Sequence, residues 1–271
     1  MLMNSLNWSE VSSPCESFVF NFQNEIKPAG KKKVEKERKK YSDQFRNSIY
    51  SFIHDIEVFD PTIVNVVSTC ERYKFQKRRF YDVVNVLESI GCCHKLKSDS
   101  IQWLGLSNVP LYLRSLQRKY NVHIIGTKVE DIFKTDISIV ISQLTQLFIL
   151  CFLVFHIQTL NIKHVAHFLA RHNHRYKTTL CKLYQIAHIL EAAEILKHTS
   201  KPCILFLETK YYAIFDGNEN STKNNDPNPY SIENLLNDHN PEKYQNEVML
   251  RKNEFFSHFQ QFQISNNILY Q

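Results

Sequence analysis

The sequence predicts a mainly helical chain with small β-hairpins, an α+β architecture built from two tandem copies of one unit. Three observations carry that expectation. First, KRRFYDVVNVLESIG, residues 77–91, places Phe80, Val84, Leu87 and Ile90 at steps of four and three, on one apolar helical stripe. Second, two short extended runs follow, CCHKLK and residues 101–104, separated by the polar Ser98-Asp99-Ser100; this is a hairpin pattern. Third, YKTTLCKLYQIAHILEAAEILKH, from Tyr176, lies over YKFQKRRFYDVVNVLESIGCCHK, from Tyr73, without a gap. Identities fall at Tyr73/Tyr176, Lys74/Lys177, Tyr81/Tyr184, Leu87/Leu190 and Glu88/Glu191.

The bulk properties narrow the function. A chain of 271 residues with 43% hydrophobic and 13% aromatic content can build one or two real cores. The net charge of +6 favours an anionic partner. Seven cysteines occur without a C-x-x-C pair, which points to a reducing compartment and no disulfide framework. There is no GxxxxGK phosphate loop and no nucleophile with an orienting base, so no enzyme, cofactor or small-molecule substrate is expected.

In chain order, residues 1–40 are expected to be disordered and to carry the basic run KKKVEKERKK at 31–40. That run reads equally as a nuclear import signal, a phosphate-contacting arm or a solvated extension of the next helix. The first unit is expected at 41–105. Its first helix spans 42–57, with Phe45, Ile49, Phe52, Ile53 and Ile56 at helical spacing and Ser42 or Asp43 as cap. Its second helix is expected near 62–70 with Pro61 in the first turn, although Ile63, Val64, Val66 and Val67 also suit a strand. Residues 106–135 are expected to link the units, with Leu111, Leu113, Leu116 and Tyr120 hinting at a short helix; the segment is too short and irregular for a coiled coil.

The second, divergent unit is expected at 136–216. Its first helix contains LFILCFLVF, which invites a membrane reading. Ser138, Ser142, Gln143, Thr145 and Gln146 interrupt the apolar run well short of the roughly 20 residues a span requires. A buried helix explains it better, and no membrane contact is expected. The second helix is placed at 160–169, with Val165, Phe168 and Leu169 inward, and the hairpin at 203–207 and 211–215. His164, His167, His172 and His174 cluster without a cysteine at finger-like spacing, so they read as helix surface and polar loop rather than a zinc site. The tail, 217–271, opens with an Asn-, Asp- and Pro-rich flexible link over 216–241. A possible helix at 242–263 follows, with Phe255, Phe259 and Phe262 on one face, suited to docking on a unit or binding a partner.

A helix–helix–helix–hairpin order is the winged-helix form of helix-turn-helix. Arg78, Asp82, Asn85 and Ser89 share the polar face of the helix at 77–91, which starts with two arginines. Cations at a helix N-terminus oppose its dipole, so an anion such as a phosphodiester would offset them, and paired guanidinium forks also suit guanine O6 and N7. The plainer alternative is a surface helix with two solvated arginines.

The run Arg78-Arg79-Phe80-Tyr81-Asp82, then Asn85-Val86-Leu87-Glu88, then Trp103 closing the wing, resembles the DNA-binding domain of the E2-factor/dimerisation-partner family of cell-cycle winged-helix transcription factors. The match leans to the E2-factor side, and it favours helix over strand at 62–70. Two tandem units without a coiled coil resemble the atypical members, whose two domains stand in for the two partners of the usual heterodimer. The resemblance implies a nuclear factor that binds double-stranded DNA at a GC-core element of the TTTSSCGC kind (S being G or C). It would regulate RNA polymerase II transcription of cell-cycle genes as an intramolecular pseudo-dimer. A dimerisation-partner-like protein or self-association remains an open partner.

The candidate DNA-contacting residues are Lys74, Lys77, Arg78, Arg79, Tyr81, Asp82, Asn85, Lys95 and Lys97 in the first unit, and Lys177, Lys182 and Tyr184 in the second. Asp82 is expected to orient the arginines from one turn beyond Arg78, and Tyr81 to add a DNA-side or domain–domain contact. The second unit has Cys181-Lys182 where the first has its arginines, and Gln185 in place of Asp82. Lysine lacks the bidentate fork, so this unit is expected to hold the backbone while the first reads sequence. The alternative function is a winged-helix scaffold, a subunit of a larger nuclear assembly with weak or no specific DNA binding.

Overall fold

The computed structural model describes residues 31–60, 62–97, 99–134, 140–172, 175–201, 203–212 and 241–269. The expected disorder of 1–30, most of the Asn-rich link, Pro61, Ser98 and His174 lie outside these residues.

The first unit opens with helix α1 (Lys31–Phe59). The basic run at 31–40, expected outside this helix, is continuous with it, because no Gly or Pro interrupts the segment. Phe45, Ile49, Phe52, Ile53 and Ile56 are all buried, as their spacing requires. Next come β1 (Ile63–Asn65) and α2 (Val66–Tyr73). This corrects the helix expected at 62–70. The β-branched Ile63 and Val64 pair with Gln102 and Ile101, and the helix begins only where the Asn65 side chain accepts the Ser68 N–H at 3.0 Å. Lys74, at φ 59°, ends α2 in the left-handed conformation.

Helix α3 (Lys77–Glu88) buries Phe80, Val83, Val84, Val86 and Leu87. Gly91 then turns the chain at φ 82°, and a Cβ there would lie 2.6 Å from the Tyr112 side chain. Strands β2 (Cys93–Lys95) and β3 (Ser100–Trp103) complete an antiparallel sheet in the order β1-β3-β2. Phe52 meets Phe80 edge-on at 5.2 Å between ring centroids, and Trp103 at 6.2 Å.

Residues 106–135 are more than a linker. They form a short 3-10 turn, α4 (Val109–Lys119) and the single-turn α5 (Val129–Ile132). Val109, Leu113, Leu116, Val122, Val129, Ile132 and Phe133 join the core, so this segment is fastened to both units.

The second unit repeats the first: α6 (Ile141–Val154), β4 (Thr159–Asn161), α7 (Ile162–Leu169), α8 (Tyr176–Ala192), β5 (Leu196–His198) and β6 (Ile204–Leu207), with sheet order β4-β6-β5. The correspondence extends to local devices. Asn161 caps α7 as Asn65 caps α2, and Glu194 takes a positive φ (56°) at the place of Gly91. The hairpin expected at 203–207 and 211–215 is wrong in its second strand: β6 pairs with Leu196–His198, while Tyr211 lies in a short helix α9 (Thr209–Tyr212). The strand directly after α8 reaches β6 first, as β2 reaches β3 in the first unit. Helix α6 is buried nearly all round, which accounts for its unbroken apolar run. Among the described residues no helix is long and apolar enough to cross a membrane.

The last helix, α10 (Pro241–Leu269), docks on α7. Phe255 is buried between Phe155, at 4.6 Å, and Phe168, at 5.2 Å. Arg251, 2% exposed, donates to the carbonyls of Val122 and Ile124 at 2.8 and 3.2 Å.

One core runs through both units. Helix α1 packs on α8 and α3 packs on α6, while α3 and α8 also meet each other. Since α1 corresponds to α6 and α3 to α8, this is the reciprocal arrangement of an isologous, approximately two-fold interface within one chain. Arg46 pairs with Glu191 at 3.3 Å, and Gln146 donates to the Tyr112 hydroxyl at 2.8 Å.

Candidate nucleic-acid interface

Helix α3 starts after Gln76 with no side-chain cap and no acidic residue in its first turn, so its N-terminal N–H groups and Lys77, Arg78 and Arg79 concentrate positive charge. Arg78 is exposed. Arg79 is held closer: its side chain is only 11% exposed, and Nη1 donates to Asp82 Oδ2 at 3.1 Å. The carboxylate does orient an arginine. Its partner is Arg79 rather than Arg78, because a spacing of three brings the two side chains together on this helix face.

Tyr81 and Lys77 both reach into the hairpin turn. The Tyr81 hydroxyl donates to Asp99 Oδ1, and Lys77 Nζ lies 2.6 Å from Asp99 Oδ2. Those two hydrogen bonds, Lys77 first, hold the Asp99 carboxyl below its ordinary range. The Tyr81 contact is therefore internal to the first unit, fixing the wing to α3; it is not a domain–domain contact. Asn85 accepts from Lys95 Nζ at 2.7 Å, and the same ammonium lies 2.8 Å from Glu88. Lys95 thus ties the wing strand to α3. Lys74 and Lys97 are exposed. Trp103 Nε1 donates to Glu57 at 2.8 Å, anchoring the far end of the wing to α1.

In the second unit Lys177 is exposed, while Lys182 and Tyr184 are half-buried on α8. The Glu88–Lys95 link has its counterpart in Glu191–His198, at 2.9 Å. Arg175, exposed at the start of α8, is a candidate that the motif does not single out; a basic residue directly before the aligned helix is the available signal. Gln185, in sequence only a departure from the first copy, donates to Asp82 Oδ2 at 2.8 Å. The two helices thus meet at equivalent positions of the repeat, and the unbroken alignment at an offset of 103 is the signal for it.

The four cysteines for which a shift is resolved carry no reactive signature: burial raises the thiols of Cys70, Cys92, Cys93 and Cys151. His164 and His167 sit half-buried on α7, and burial lowers both to about 4. His167 stacks on Tyr176 at 3.8 Å. Among the described residues no group of three or more His, Cys, Asp or Glu is placed to hold a metal ion.

A cationic recognition helix, a preceding helix at its back and a tethered three-stranded wing define a winged-helix DNA-binding domain. Residues 48–105 match the E2-factor/DP family winged-helix DNA-binding domain, so the first unit is a domain of that family. The chain is similar to transcription factor E2F7 of Danio rerio, 28% identical over 156 residues, which covers 48% of this chain and 21% of that protein. It is also similar to transcription factor E2FB of Arabidopsis thaliana (40% over 55 residues; 20% of this chain, 12% of the relative). A third relative is transcription factor E2F1 of Gallus gallus (34% over 82 residues; 30% and 20%). These matches span about a fifth or less of the relatives' lengths. All three are transcription factors, not enzymes.

Proposed function

We propose that this protein is a nuclear, sequence-specific transcription factor that binds duplex DNA at a GC-core promoter element, with its two winged helices acting as an intramolecular pseudo-dimer. The observation that carries the reading is the placement of exposed Arg78 and carboxylate-oriented Arg79 at the N-terminal end of α3, in a unit matching the E2-factor/DP domain. Arg78 and Arg79 contact guanine in the major groove. Lys74 and Lys97 neutralise phosphates beside them, while Lys77, Tyr81, Asn85 and Lys95 fasten the wing to the helix. The second unit contributes backbone contacts through Lys177, Lys182 and Arg175, with Tyr184 beside them, since α8 has no arginine pair. The reciprocal packing of α1 on α8 and α3 on α6 supports the pseudo-dimer, because it leaves the chain no need of a second protomer to bring two recognition helices together.

Selection of bound sequences from random duplexes tests this. The expected product is a GC-core consensus whose affinity falls steeply with salt, as phosphate contacts require. A protein serving as a protein-contact scaffold would instead yield no consensus and bind specific and random duplexes equally poorly.

A further inference from the structure

We infer that Gln185 is a positioning residue for Arg79, so that the second unit acts on base reading by the first. The inference rests on the proposed role of Arg79 in reading DNA. One oxygen, Asp82 Oδ2, accepts from both Arg79 Nη1 at 3.1 Å and Gln185 Nε2 at 2.8 Å. Arg79 comes from the same helix as Asp82, and Gln185 from the facing helix of the other unit.

The chemistry of the residue matters. The Asp82 side chain is 25% exposed, so its contacts act in a partly desolvated setting where a lost partner is felt. A neutral amide donor fixes the carboxylate without competing for its charge, which remains available to Arg79. Lysine at this place would draw Asp82 away from Arg79. A carboxylate there would set two acceptors against each other with no proton between them. Gln185 occupies the register that Asp82 holds in the first copy, so the exchange of acid for amide falls where the helices meet. The second recognition helix, which lacks the arginine pair, thereby supports the arginine of the first.

The test uses the full chain and two duplexes, one with the selected GC core and one of scrambled sequence, at fixed salt. Gln185→Met keeps length and removes the donor. Its expected effect is a roughly tenfold loss in the ratio of specific to scrambled affinity, consistent with a hydrogen bond to a charged group. Affinity for the scrambled duplex and the salt slope should not change, and these are what a merely structural role would move. Gln185→Asn shortens the side chain but keeps the donor, and should recover part of the ratio. In an Asp82→Ala background, Gln185→Met should have no further effect, because it acts through that carboxylate. An unchanged ratio in Gln185→Met, while Arg79→Ala lowers it, would overturn the inference and leave the proposed function standing. Equal losses on both duplexes would also overturn it, assigning Gln185 to domain packing alone. No preference between the duplexes in the unaltered protein would remove the inference and the DNA-reading proposal together.

Discussion

Phe255 of the last helix stacks on Phe155 at the end of α6, with ring centroids 4.6 Å apart and planes inclined at 29°. The tail helix is therefore part of the second unit's core rather than an appendage. It closes a face on which Phe133 and Phe168 also converge.

Phe255→Ala should destabilise the protein by about 3–5 kcal/mol, the range for deleting a buried phenylalanine. Denaturant unfolding would measure it through the shift of midpoint at constant slope. A loss below about 1 kcal/mol would mean that α10 leaves the surface without consequence for the core.

Arg78 and Arg79 should not be equivalent. Arg78 is exposed, whereas Arg79 is mostly covered and bound to Asp82. Arg78→Ala should weaken a GC-core duplex by about 1–3 kcal/mol, the worth of a good bidentate base contact, and a random duplex much less. It should leave the melting temperature within a degree or so of the unaltered protein, because an exposed side chain contributes little to stability. Equal losses on both duplexes in a titration at fixed salt would reduce Arg78 to a phosphate contact.

The buried histidines predict an acid sensitivity. His164 and His167 are lowered to about 4 from an ordinary 6.5, burial being the main cause for both. The unfolded chain therefore binds protons more readily than the folded one as pH falls below 6.5. The stability these groups contribute is complete above pH 6.5 and is lost progressively as pH drops towards 4. A protein carrying His164→Gln and His167→Phe should lose less melting temperature than the unaltered chain across that window. Parallel melting curves for the two proteins from about pH 7 to about 4.5 would contradict the assignment.

Much of this architecture is legible in the sequence because periodicity and burial coincide. The stripe of Phe80, Val84 and Leu87 is buried, and the 29-residue α1 hides every hydrophobic residue its spacing selects. Misses arise where pairing rather than pattern decides. Ile63 and Val64 suit a strand or a helix alike, and only the partner strand at 101–102 settles the matter. Tyr211 has a strand-like neighbourhood, yet β6 already pairs with β4 and β5. At the site, the motif is enough to name the arginines, Asp82 and the wing lysines. Their mutual bonds are not legible in it. Whether Asp82 meets Arg78 or Arg79, and whether Tyr81 turns to the wing or to a neighbour, depends on rotamers and on Asp99, which lies in the hairpin turn beyond the helix. The contact between Asp82 and Gln185 spans 103 residues and exists only because the two units pack reciprocally.

The central claim is that one chain supplies both halves of the DNA-binding pair. The decisive measurement is the mass of the full-length protein bound to a duplex carrying one selected site, taken by sedimentation or native mass spectrometry over a range of protein concentrations. The tether makes docking of the second unit intramolecular, with an effective concentration of about millimolar. The complex should therefore contain one chain per duplex at every concentration that saturates the site. Two chains per duplex, with binding that steepens as protein concentration rises, would contradict the account and assign the site to an ordinary dimer.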